Sequence, residues 1–177
     1  TETYMSWYKK RMHRIIDPTA YSLMSSSVGE PWSLLKQVHD SPETDQFEDY
    51  FWTPNAYGHE TLVKRISEKY EVPEESILLT QGATGAIFLL CNTFLSEGDH
   101  VVTERPGYEP LFQSPEANGA SVDFLKRIPG KCISASDVRK CVLPTTKLIF
   151  LTDFHNPSGV QFTESELMTI VYTAVDV

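Results

Sequence analysis

Apolar positions along this chain recur with two different periods, one typical of helices and the other of strands. Residues 59–70 carry Leu62, Val63 and Ile66 at a spacing of three or four, which predicts a helix. Further helices are predicted over residues 84–95, 111–118, 134–142 and 163–175. Short apolar runs between them predict strands over residues 77–80, 100–104, 121–127 and 147–153.

Strands and helices therefore alternate from about residue 60 onward, which is typical of an α/β fold with a mostly parallel sheet. Residues 1–16 form one more predicted helix, and residues 40–58 are predicted to be mostly irregular. Parallel sheets bind ligands at the carboxyl ends of their strands. We therefore expect functional residues directly after Thr80, Glu104 and Asp153.

Two helix starts carry capping signals. Ser134 or Ser136 is the predicted N-cap of the helix over residues 134–142. Thr163 precedes the last helix, and Glu166 follows three residues later, which is the spacing of a capping box.

Composition excludes several classes of protein. The 177 residues carry a net charge of −9, which argues against sequence-independent nucleic-acid binding, and the basic stretch at residues 9–14 is interpreted as a solvated helical face. No apolar run approaches the about 20 residues of a membrane span. The three cysteines, at positions 91, 132 and 141, fit neither a zinc pattern nor a disulfide framework, so we predict no metal site and a reducing, cytoplasmic setting, with Cys91 in the core.

The first strand end reads "TQGATGA". Gly82 allows close approach of the backbone, and Thr84 adds a hydroxyl at the start of a helix. A helix N-terminus carries unsatisfied N–H groups and about half a positive charge, so the turn can bind phosphate. Thr84 could equally cap only its own helix. The same letters are similar to the glycine-rich turn of nicotinamide-dependent short-chain dehydrogenases, but the further glycine of that fingerprint is missing near Phe88.

The other two strand ends carry an aromatic ring and an amide. In "ERPGYEP" a Pro-Gly turn displays Tyr108, which can stack on a flat ligand ring or serve as a core aromatic. In "DFHNPSG" Pro157 cannot continue a sheet ladder, and it holds Asn156 extended. The Asn156 amide can then donate to a ligand oxygen, or it can cap a turn.

In this order the three strand ends resemble those of the class I/II aminotransferases, the fold-type I pyridoxal-phosphate enzymes related to aspartate aminotransferase. The resemblance runs from about Val28 to the end and includes "GEP" at residues 29–31, "YGHETLVKRISEKY", "GATGAI", "EGDHVVTERPGY" and "HNPSGV". It implies a three-layer α/β/α large domain, present in part. Residues 1–40 would be an N-terminal helix and arm of the small domain, and residues 41–177 the first part of the cofactor-binding large domain.

The resemblance implies a role for each matching residue. Gly82, Ala83 and Thr84 would hold the phosphate of pyridoxal 5'-phosphate, and Tyr108 would stack on its ring. Asn156 would donate to the phenolic oxygen of the cofactor. A looser match places the backbone of Gly29 near the carboxylate of the substrate.

The family's Schiff-base lysine and pyridine-binding aspartate have no counterpart here, so we assign no catalytic residue. Asp176 comes too early for that aspartate, and the S-x-x-K of residues 33–36 precedes the phosphate turn and is interpreted as a coincidence. The family's substrate-binding arginine is also absent. Trp52 or Tyr57 stands near the family's phosphate-binding tyrosine, and neither receives a role.

The implied function is amino-group transfer between an amino acid and a 2-oxo acid, in a cytoplasmic homodimer acting in amino-acid metabolism or biosynthesis. Both ends of the chain look cut, so we expect the N-terminal portion of such an enzyme, unable to transaminate alone. The alternatives are another pyridoxal-phosphate enzyme such as a lyase, a nicotinamide-dependent oxidoreductase, and a non-enzymatic homologue. The amino acid used as substrate is not readable from these residues.

Overall fold

The computed structural model describes residues 3, 6–7, 31–39 and 56–175, and it divides into two compact units, Thr1–Thr80 and Gln81–Val177. Most of the predicted helix over residues 1–16 lies outside the described residues, as do Gly29, Trp52 and Asp176. The predicted domain boundary at residue 40 stays a prediction.

The first unit contains helix α1 (Trp32–His39), helix α2 (Glu60–Tyr70) and a short 3-10 helix (Glu74–Ser76). Helix α2 confirms the prediction for residues 59–70, and Val63 of its apolar face is buried. The helix ends at Glu71, which has a left-handed backbone (φ 54°) and donates its N–H to the carbonyl of Ser67.

The predicted strand over residues 77–80 is wrong. The backbone is extended at Ile77 (φ −115°, ψ 127°), but these residues belong to none of the strands in the described part of the chain. The N–H of Leu79 bonds instead to the carbonyl of Tyr57, at 2.9 Å. A strand needs a partner ladder, and an apolar run by itself does not supply one. A Cβ on Gly58 (φ +131°) would lie 2.4 Å from the Leu79 side chain, so this crossing requires glycine.

The second unit alternates helices and strands as predicted. Its elements are α3 (Gly82–Phe94), β1 (His100–Arg105), α4 (Pro110–Ala117), β2 (Ser121–Lys126), α5 (Ala135–Cys141), β3 (Thr146–Ile149) and α6 (Glu164–Val175). The strands form a parallel sheet in the order β2-β1-β3. Val101 of β1 pairs with Val122 of β2 and Leu148 of β3, which sets the register.

Helices cover both faces of this sheet. Alternate residues of a strand point to opposite faces, so Val101 packs against Ile87 and Cys91 of α3 and Leu111 of α4. On the other face, Val102 belongs to a cluster with side chains of α5 and α6, namely Val138 and Ile170. The three-layer α/β/α arrangement is therefore present, and Cys91 is fully buried as predicted.

Strand β3 is shorter than the predicted strand over residues 147–153. Phe150 still donates its N–H to the Val102 carbonyl at 2.8 Å. Two residues later the backbone N–H of Thr152 turns to the side chain of Glu104, at 2.9 Å. A carboxylate thus replaces the next ladder partner, and the chain leaves the sheet there.

Both predicted helix caps are present. The Ser134 hydroxyl accepts the N–H of Asp137, whose carboxylate accepts the N–H of Ser134 in turn. Thr163 and Glu166 form the same reciprocal pair at the start of α6. Within the described residues, no helix combines the length and the apolar character that a membrane crossing requires.

These caps predict how stability depends on pH. Hydrogen bonds from the side chain and backbone of Ser134 lower the pKa of Asp137, and hydrogen bonds from the backbone and side chain of Thr163 lower the pKa of Glu166. A lowered folded-state pKa stabilises the fold above the unfolded-state pKa of about 4, and this contribution is lost as the pH falls through the folded-state value. We expect the double variant Asp137→Asn/Glu166→Gln to be less stable than wild type at pH 7, and the difference to shrink as the pH falls below the unfolded-state pKa of about 4 and through the lowered folded-state values. Urea unfolding across this pH range measures the difference; a difference that did not shrink on acidification would contradict the prediction.

Candidate active site

The order of the strands reverses at β1, the central strand of the sheet. The chain leaves β1 through α4, on one face of the sheet, and reaches β2. It leaves β2 through α5, on the opposite face, and reaches β3 on the far side of β1. Open α/β sheets bind ligands where the strand order reverses in this way. The loops after β1 and β3 border that point, and they carry Tyr108 and Asn156.

Helix α3 presents its N-terminus to solvent. It begins at Gly82, whose positive φ of 70° is a conformation that favours glycine. Gly82, Ala83 and Thr84 are all exposed, and the N-cap residue, Gln81, makes no side-chain capping bond. Helices α5 and α6, in contrast, close their first turns with carboxylates. The first turn of α3 holds no acidic residue, so the positive end of its dipole has no carboxylate from its own helix.

Tyr108 lies next to this helix end. A Cβ on Gly107 would lie 2.6 Å from the carbonyl oxygen of Glu104, so only glycine fits before the tyrosine. The ring of Tyr108 is half-buried against the apolar cluster that contains Ile87 and Leu111. Its hydroxyl lies 3.0 Å from the Thr84 hydroxyl. The structure thus brings together two of the predicted site residues.

Asn156 is exposed and lies in a turn. The residue before it, His155, is held by hydrogen bonds. His155 is 1% exposed, and its Nε2 lies 2.8 Å from the carbonyl oxygen of Pro106, in the Tyr108 loop. A carbonyl oxygen only accepts, so Nε2 carries the hydrogen; in the neutral ring Nδ1 then accepts from the Ser158 hydroxyl, at 2.7 Å. His155 therefore connects the Asn156 turn with the loop that displays Tyr108.

The backbone just before this turn is strained. Phe154 has a φ of 52°, in the left-handed region, and its ring is 65% exposed. A bulky side chain rarely adopts this conformation, which persists only where the surrounding structure imposes it. The anchors on either side, Thr152 and His155, supply that constraint.

Sequence reasoning missed a buried charged network beneath these loops. Glu104, at the end of β1, is 1% exposed, and Arg127, directly after β2, is 7% exposed. The Arg127 guanidinium donates from Nε to one Glu104 oxygen at 2.7 Å, and its Nη2 forms an ion pair with the same oxygen at 2.6 Å. Thr152 donates its N–H and its hydroxyl to the other oxygen. A glutamate directly after Val101, Val102 and Thr103, at the end of a predicted strand, was the available signal, because a buried carboxylate is rare unless it is paired.

Two residues considered in the sequence analysis belong to the first unit. Tyr57 is exposed, and it remains without an assigned role. Lys36 is an exposed residue of α1. In the described part of the chain, no three side chains of His, Cys, Asp or Glu are grouped so that they could hold a metal ion.

Comparison with known proteins gives the family. The model of the family "Aminotransferase class I and II" matches residues 21–176. The chain belongs to this family. Membership confirms the resemblance inferred from the strand ends, and it decides against the nicotinamide-dependent alternative.

Individual relatives agree with this membership. The chain is 33% identical over 174 residues to kynurenine–oxoglutarate transaminase 3 of Bos taurus. This match covers 87% of this chain and 38% of the relative. It is 31% identical over 124 residues to histidinol-phosphate aminotransferase of Methanococcoides burtonii, covering 70% of this chain and 34% of the relative. A solved structure of a PLP-dependent aminotransferase from Streptococcus suis superposes with a TM-score of 0.72 at 29% identity, over 85% of this chain and 42% of that one.

The superposition confirms the predicted fold class, that of the fold-type I aminotransferases. The chain spans about two fifths of the length of the relatives it matches. The comparisons assign no role to Gly82, Ala83, Thr84, Tyr108 or Asn156, and Gly29 lies outside the described residues.

The buried ion pair predicts an asymmetric mutational response. Arg127→Met should destabilise the chain by about 3–5 kcal/mol, because it leaves the Glu104 carboxylate buried without its partner. The double variant Glu104→Leu/Arg127→Met should recover most of that loss, because no buried charge remains. Chemical denaturation measures both.

The matched control is Arg139→Met, at an exposed arginine of α5, which should change stability by less than about 0.5 kcal/mol. Equal effects of Arg127→Met and Arg139→Met would show that the buried pair has no special role.

Proposed function

We propose that this chain is part of a pyridoxal 5'-phosphate-dependent aminotransferase, which transfers an amino group between an amino acid and a 2-oxo acid. The observation that carries the proposal is the 3.0 Å contact between the Thr84 and Tyr108 hydroxyls, which joins the exposed start of helix α3 to an aromatic ring. Family membership supports the reaction class, and the strand-order reversal supports the location. The relatives' different names leave the amino acid open.

The cofactor phosphate would be held at the start of α3. The backbone of Gly82 and Ala83 and the hydroxyl of Thr84 would donate to its oxygens, and the helix dipole favours their negative charge. The conformation of Gly82 fits this role, because among the described residues outside its own helix and chain neighbours no atom lies within 4 Å of the place a Cβ would occupy.

Tyr108 and Asn156 would orient the ring. The half-buried ring of Tyr108 offers a flat face, and its hydroxyl, already beside Thr84, can donate to the phosphate. The Asn156 amide would donate to the phenolic oxygen of the cofactor. When bound, the cofactor supplies an electron sink for the α-carbon of the amino acid. The residues of this chain bind and orient it.

The remaining parts of the proposal concern the whole protein. The parent enzyme would be a cytoplasmic homodimer acting in amino-acid metabolism or biosynthesis, with an amino acid and a 2-oxo acid as substrates. Gly29 would lie near the substrate carboxylate. Nothing in this chain matches the family's Schiff-base lysine, so we expect the 177 residues to bind the cofactor without transaminating.

The test is binding of pyridoxamine 5'-phosphate, which has no aldehyde and cannot label surface lysines. Wild-type chain should bind it saturably, more tightly than pyridoxamine, and should not bind NADH. Thr84→Val should weaken binding about tenfold to a hundredfold, because a hydrogen bond to a charged phosphate is worth about 1.5–3 kcal/mol. Fluorescence titration and calorimetry measure the affinity.

The control is Thr93→Val, at an exposed threonine of the same helix, which should bind as wild type does. Equal affinity for pyridoxamine 5'-phosphate and pyridoxamine would argue against the proposed site. An equal loss of affinity in Thr84→Val and Thr93→Val would argue against it as well.

A further inference from the structure

The carboxylate of Glu104 connects the ends of all three strands of the sheet. It lies at the end of β1, and one of its oxygens accepts from Arg127, directly after β2. The other oxygen accepts from Thr152, three residues after β3 ends. Arg127 also donates its backbone N–H to the Arg105 carbonyl at 2.9 Å, and its Nη2 to the Thr152 carbonyl at 3.3 Å.

Sheet cohesion does not require this charge. The three strands already pair along their lengths, and apolar clusters join the helices to both faces. Burying an ion pair costs desolvation, and an apolar pair of similar volume stabilises a fold as well or better. A buried pair at this position therefore calls for a reason other than stability, and its place directly below the loops of Tyr108 and Asn156 suggests one.

Hydrogen bonds hold the segment that bears Asn156 at three residues before it, Thr152, Asp153 and His155. Thr152 is bound to Glu104, and Asp153 accepts the N–H of Phe162 at 2.9 Å. His155 donates to Pro106, two residues before Tyr108, and its Nε2 lies 4.0 Å from the Glu104 carboxylate. The left-handed backbone of Phe154 lies between these anchors.

We infer that Glu104 is a positioning residue: by holding Thr152 and Arg127, it sets the Asn156 turn at a fixed spacing from the Tyr108 loop. The inference rests on the proposed function in one respect, that the fixed spacing serves a ring bound between the two loops. The phosphate contact at α3 is independent of this spacing. Loss of the Glu104 charge should therefore weaken recognition of the ring and leave recognition of phosphate intact.

The experiment compares Glu104→Gln with wild type in two binding titrations. Affinity for pyridoxamine 5'-phosphate should fall at least tenfold, whereas affinity for inorganic phosphate, followed by NMR at the Thr84 amide, should change less than twofold. Hydrogen exchange at the amides of His155 and Gly159 should quicken at least tenfold. Neither amide bonds to Glu104, since they bond to Val160 and His155 respectively.

Two further variants separate positioning from stability. Val138→Ala removes buried apolar contacts on α5 and should lower stability while keeping wild-type affinity for pyridoxamine 5'-phosphate. The double variant Glu104→Leu/Arg127→Met should regain stability but should still bind pyridoxamine 5'-phosphate at least tenfold more weakly than wild type. If Glu104 only stabilised the fold, the result would be the opposite. Affinity for pyridoxamine 5'-phosphate would then rise and fall with the stability of each variant.

The outcomes keep the two proposals distinct. If wild-type chain binds no pyridoxamine 5'-phosphate, the proposed function fails, and exchange at His155 and Gly159 in Glu104→Gln still decides whether Glu104 holds the turn. If wild type binds and Glu104→Gln binds equally well, the positioning role is overturned while the cofactor site stands.

Discussion

The paired charges of Glu104 and Arg127 are the interaction on which the arrangement of the candidate site depends. Both side chains are buried where three parallel strands end, and they form an ion pair with each other. A carboxylate in such a place must have its oxygens satisfied. Arg127 and Thr152 satisfy them, and in doing so they determine where the chain leaves β3 and where the Asn156 turn begins.

The rest of the site follows from topology and helix electrostatics. Because β1 lies between β2 and β3, and the helices that follow β1 and β2 pack on opposite faces of the sheet, the strand order reverses at β1, where open α/β sheets bind ligands. Helix α3 brings an N-terminus without a carboxylate cap to the same region through the contact between Thr84 and Tyr108. A helix N-terminus, an aromatic ring and an amide donor are the groups that would bind a phosphorylated pyridine.

Local signals in the sequence were sufficient for much of this fold. The capping boxes of α5 and α6, and most strands and helices after residue 80, depend on residues close together in the chain. The predicted strand over residues 77–80 failed because strand formation depends on a partner ladder that an apolar run does not reveal. The pairing of Glu104 with Arg127 and Thr152 joins residues 23 and 48 positions apart, so no local pattern could indicate it.

The claim that Thr84, Tyr108 and Asn156 serve one ligand is tested most directly by NMR during a titration with pyridoxamine 5'-phosphate. The Thr84 amide, the Tyr108 ring and the Asn156 side-chain amide should all shift, with one shared dissociation constant and with contacts from the ligand ring to Tyr108. Shifts at Thr84 alone, or three different dissociation constants, would contradict a single shared site.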